Sequence, residues 1–96
     1  MRTVFALFNF KSSDLAAEER NYIEYHVQLA RQLPGLRQYI IGRLPGPAGQ
    51  PPPYYRAATL SFDSNDAKRS AMRDSPVAKP LAADGNAYMS DTMART

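Results

Sequence analysis

The chain has 96 residues, no cysteine, one histidine, and 12 Lys+Arg against 9 Asp+Glu, for a formal net charge of +3. Composition therefore excludes disulfides and thiolate metal sites, and a lone histidine falls short of the three or four ligands that a metal centre needs. The basic residues are scattered singly and are not interleaved with aromatics, so the charge reads as a solvated surface and no nucleic-acid partner is expected.

A chain this short is expected to form one domain, 1–96, with a core modest enough that oligomerisation would help to complete it. The apolar run after Met1-Arg2 is cut short by Asn9 and Lys11 and has no small-residue cleavage site, so it reads as a strand and not as a secretory leader. No segment approaches the ~20 apolar residues that span a bilayer. The expected setting is the cytoplasm, without a membrane partner.

In chain order, Thr3 to Phe10 reads as a strand that is apolar on both faces, with Val4, Ala6, Phe8 and Phe10 on one side. Lys11 to Asp14 is a polar turn in which Ser13 or Asp14 can cap a helix. That helix is expected from about Leu15 to Gln32, with Glu18 and Glu19 early in it, where carboxylates complement the dipole. At about 100° per residue, Leu15, Tyr22, His26, Leu29 and Leu33 fall on one line, which Ile23, Val27 and Ala30 widen into an apolar stripe. His26 thus sits with the core residues. Pro34-Gly35 stops the helix, with Gly35 expected at positive φ.

Leu36 to Leu44 reads as the second strand, with Tyr39 and Ile41 on one face. The segment from Pro45 to Pro53 holds five of the eight prolines and reads as a stiff loop, either a plain connection or a flap over a pocket mouth. Tyr54 to Phe62 is the third strand. A capping cluster at Asp63–Asp66 opens a helix from about Asp66 to Arg73, and Ser75-Pro76 restarts a short helical segment with serine as cap. Asp84-Gly85-Asn86 reads as a turn, and Ala87 to Met93 as a last, weak strand. The order is β-α-β-β-α-β, a ferredoxin-like α+β plait with strands one and three in the centre. One sheet face is then left bare, to be covered most simply by a second copy of the chain.

The run Tyr22-Ile23-Glu24-Tyr25-His26-Val27-Gln28-Leu29-Ala30, continuing to Leu33-Pro34-Gly35-Leu36, resembles the EthD family of small dimeric α+β barrel proteins. Leu60–Ser64 and Met72–Pro76 resemble the family's later segments. The resemblance implies a homodimer with sheets packed face to face and a role in catabolism of ethers, such as ethyl tert-butyl ether, or of aromatic-derived compounds. It also implies a functional link to a cytochrome P450 system. In a related branch, the methylmuconolactone methylisomerases, a pocket histidine and tyrosines carry cofactor-free chemistry; they would fall here on His26, Tyr22 and Tyr39. That branch also uses a cysteine, which this chain lacks, so its particular isomerisation is not implied.

The residues themselves support a proton-transfer site. Tyr22 and His26 are four apart on one helical face, and Tyr39 can approach from the sheet. Histidine exchanges protons near neutral pH, and tyrosine hydroxyls can orient a carbonyl or carboxylate. The opposing reading is a core histidine whose nitrogens are satisfied by Tyr22, Tyr39 or backbone. No phosphate-binding loop, nucleophile elbow, or haem or flavin motif is present. The expected function is therefore binding of a small organic molecule around His26, with cofactor-free isomerase or lyase chemistry. The alternative is a non-catalytic ligand-binding or accessory protein of a degradation pathway.

Overall fold

The computed structural model describes residues 1–44 and 53–95, with side chains described through residue 90. The proline-rich segment read as a stiff loop or flap lies outside the described residues, apart from Pro53. Four antiparallel strands, β1 (Arg2–Phe10), β2 (Leu36–Arg43), β3 (Arg56–Phe62) and β4 (Met89–Arg95), form one sheet in the order β2-β3-β1-β4. This is the α+β ferredoxin-like plait, with β1 and β3 central. Helix α1 consists of α-helical Leu15–Asn21, a π turn at Tyr22–His26 and α-helical Val27–Ala30. Helix α2 runs as Asn65–Arg69 into a second π turn at Ser70–Asp74, and α3 spans Ala78–Tyr88.

Local signals account for the element ends. Asp14 accepts from the Ala17 N–H and Ser64 from the Ala67 N–H, each satisfying a donor that a helix start leaves orphaned. After α1, Gly35 adopts φ +77°, a conformation that side-chain-bearing residues disfavour. The chain can then reverse directly into β2.

The π turn in α1 corrects the helical wheel. The Val27 N–H bonds to the Tyr22 carbonyl, one residue further back than in an α-helix. The buried residues consequently run Glu18, Tyr22, Val27, Ala30 and then Leu33, with a five-residue step across the turn. Leu15 and Ile23, placed on the core stripe by a uniform 100° step, are exposed. Glu18 is buried instead.

The C-terminal third differs further. Asp84-Gly85-Asn86 is not a turn but lies inside α3, which extends through Ala87 and Tyr88, so β4 begins at Met89. Ala78, Leu81 and Asp84, three residues apart, give this helix an inward face, and that tertiary contact outweighs the local turn preference of Asp-Gly-Asn. Ser75 does not cap α3; its hydroxyl donates to the Ala71 carbonyl at 2.6 Å and closes the preceding π turn. The third strand begins at Arg56 and leaves Tyr54 and Tyr55 outside it.

The helices cover one sheet face. Phe62, fully buried, centres a cluster with Val4, Leu33, Ala58, Leu60 and Ala71; burying a phenylalanine of this kind contributes about 2–3 kcal/mol. Phe8, Tyr22 and Val27 form a second cluster. The opposite face carries Phe5 (55% exposed), Thr59 and Ile40 (54% exposed) in one cross-strand row. Two large apolar side chains thus stand in the open on a face that no helix among the described residues covers.

Candidate functional site

The helix-covered face encloses a cavity of about 210 Å³. Its floor comprises Val4, Ala6 and Phe8 of β1 with Ala58 and Leu60 of β3 and Tyr39 of β2. Tyr22, His26 and Ala30 of α1 wall one side, and Met72 of α2 with Ala78 and Leu81 of α3 wall the other. An apolar cavity of ~150 Å³ can hold benzene, so this one suits a somewhat larger organic molecule. Tyr22, His26 and Tyr39 all line it. Both π turns deliver residues to it, Tyr22 and His26 from the first and Met72 from the second; such turns are frequent at functional sites.

His26 Nδ1 lies 2.7 Å from Asp84 Oδ2, and Asn21 Nδ2 donates to Asp84 Oδ1 at 3.1 Å. The Asp84 side chain is only 2% exposed and that of His26 14%. A carboxylate only accepts, so in the neutral ring Nδ1 carries the proton and Nε2 is left as the acceptor for a ligand. The partner of the histidine is thus neither tyrosine nor backbone but an aspartate from α3.

The Tyr22 ring contacts both His26 and Arg56. It stacks on His26 with centroids 5.5 Å apart and planes 22° from parallel, and the Arg56 guanidinium lies 5.0 Å from its centroid. Arg56, buried on β3, is itself fixed by a two-pronged ion pair with Glu19 of α1, in which Nε donates to Oε1 at 3.1 Å and Nη2 to Oε2. The Tyr22 hydroxyl is buried beside the Tyr39 phenol, and the two phenols interact with each other. Burial, reinforced by the neighbouring Tyr39, pushes the Tyr22 phenol far above the usual tyrosine range, and burial also raises Tyr39. Both are neutral hydrogen-bond donors at any physiological pH.

Sequence reasoning reached Tyr22, His26 and Tyr39 but missed Asp84, Asn21 and the Arg56–Glu19 pair. For Asp84 the available signal was its three-residue spacing from Ala78 and Leu81, which puts a carboxylate on an inward helix face. Glu18, one turn before Tyr22, was also missed; it is buried with Oε2 unpartnered among the described residues. Among the described residues no group of three His, Cys, Asp or Glu side chains could hold a metal ion.

Residues 13–92 match the EthD domain family. The chain belongs to the EthD family. An 11.0 kDa protein in the thcB-thcC intergenic region of Rhodococcus erythropolis is 33% identical to this EthD-family chain over 72 residues, covering 75% of it and 69% of the relative. An EthD-family protein of Bacillus halodurans superposes with TM-score 0.80 at 22% identity, covering 100% of this chain and 98% of that one. A dimeric ferredoxin-like protein of Thermobifida fusca superposes with TM-score 0.76 at 23% identity, covering 97% and 85%. The cofactor-independent oxygenase SnoaB of Streptomyces nogalater shares the fold at TM-score 0.68 and 17% identity, covering 98% and 89%. No helix among the described residues of the EthD-family chain is long and apolar enough to cross a membrane.

Proposed function

We propose that this EthD-family protein binds a small organic molecule in the 210 Å³ cavity and moves a proton on it without a cofactor, in an isomerase- or lyase-type reaction. One observation carries the reading. His26, aligned by a buried aspartate, lines an apolar cavity together with two buried phenols, those of Tyr22 and Tyr39. A ligand oxygen in the cavity would accept a hydrogen bond from this pair of phenols.

The chemistry follows from these roles. Nε2 of His26 takes a proton from a carbon next to a carbonyl, and Asp84 stabilises the imidazolium that forms. The phenols of Tyr22 and Tyr39 donate to the oxygen on which negative charge develops. The imidazolium returns its proton to another carbon in an isomerisation or to the leaving group in a lyase reaction. That SnoaB is named a cofactor-independent oxygenase supports this fold as a platform for cofactor-free catalysis. The functional unit is a homodimer formed through the bare sheet face, supported by exposed Phe5 and Ile40 and by dimeric fold relatives. Catabolism of small ethers or aromatic-derived compounds is the setting that the family membership supports.

Hydrogen–deuterium exchange of enolisable lactones and ketones in D₂O, followed by NMR, tests the reading. Catalysed exchange is expected in the wild type. It should be lost in His26→Ala and reduced about 100-fold or more in Asp84→Asn, which disturbs the tautomer. Ligand binding without exchange anywhere in the panel would favour the ligand-binding or accessory role instead.

A further inference from the structure

Next to the cavity lies a second concavity of about 340 Å³, lined by Val4 and Met72, which it shares with the cavity, and by Lys68, Arg69 and Arg73. All three cations belong to α2. Arg69 has a loose ion pair with Asp66 at 3.8 Å, on a side chain that is almost wholly exposed. The side chains of Lys68 and Arg73 have no hydrogen bond or ion pair among the described residues. Positive charge therefore gathers at one end of an apolar chamber and is scarcely neutralised there.

The other end of the chamber is where the proton-transfer groups sit. Phe8 packs against Tyr22 with ring centroids 5.3 Å apart, whereas the cationic groove reaches the floor at Val4. Val4 and Phe8 are four positions apart along the strand, about 13 Å. Between these ends the floor is Ala6 and Ala58, with Leu60 and Tyr39 in the same cross-strand row as Val4.

We infer that the preferred ligand is a small apolar acid, whose anionic end group sits on Lys68 and Arg73 while its apolar body carries the reacting carbon towards His26. This names the substrate class of the proposed site and rests on that reading of the cavity. Low-dielectric walls beside the cations would strengthen their hold on a carboxylate relative to open water.

Phenylbutyrate and its uncharged amide separate the possibilities, with dissociation constants measured by calorimetry on the wild type and on K68Q/R73Q. Both substitutions are at the rim and remove charge without emptying the core. The acid is expected to bind about tenfold more tightly than the amide. In K68Q/R73Q that preference should disappear while the amide's affinity stays as it was. Raising salt should weaken the acid alone. Equal binding of acid and amide to the wild type would overturn the anionic class and leave the cavity as the site. A preference that survives in K68Q/R73Q would likewise overturn the assignment to these two residues. Binding of neither probe would overturn both this inference and the reading of the cavity beneath it.

Discussion

The ring of Tyr22 is in contact with Arg56 and His26, and its hydroxyl reports on that confinement. Both Tyr22 and Tyr39 have folded-state pKa values raised by burial above the ordinary value of about 10. The sign is that of a group kept neutral by folding. The stability it contributes is complete below the unfolded pKa, near pH 10, and is lost as pH rises through the folded values. Ultraviolet titration of the six tyrosines should therefore show two that ionise only together with unfolding. Tyr39→Phe should move that alkaline transition to higher pH. The two phenols and His26 were legible in sequence because a four-residue helical spacing and a strand alternation place them locally. Asp84 was not, because Asp-Gly-Asn is a strong turn signature and only the packing of α3 on the core makes it helical.

At the scale of elements, the π turn at Tyr22–His26 separates what a periodic pattern can show from what it cannot. One extra residue in a helical turn shifts the phase between its two halves, so Ile23 looks inward on a uniform wheel and stands outward in the molecule, whereas Leu15 is exposed as the first residue of the helix. No residue type marks such a turn in the sequence. The helix stop, by contrast, was legible, since Pro34 and Gly35 act through their own backbone restrictions. Gly35 has open space where a Cβ would go but sits at φ +77°, so a β-branched replacement is penalised by strain alone. Gly35→Val should destabilise by about 1–2 kcal/mol, measured as a shift in the chemical denaturation midpoint with an unchanged slope. An unchanged midpoint would show that the turn accepts another conformation.

For the whole molecule, the strand order and the bare sheet face both followed from the element order and the handedness of crossovers, whereas which residues meet on that face became visible only with the register. Phe5, Thr59 and Ile40 align across three strands, and this row supports the proposed dimer. Phe5→Glu should halve the mass seen by light scattering while circular dichroism stays that of the folded chain; a wild type that is already monomeric at micromolar concentration would refute the dimer. The cavity is on the other side of the same sheet, among the helices. A second copy seated on the bare face would therefore add no wall to either chamber, and two backbone layers would stand between the chambers. Saturation curves should then be hyperbolic, with a Hill coefficient of about one.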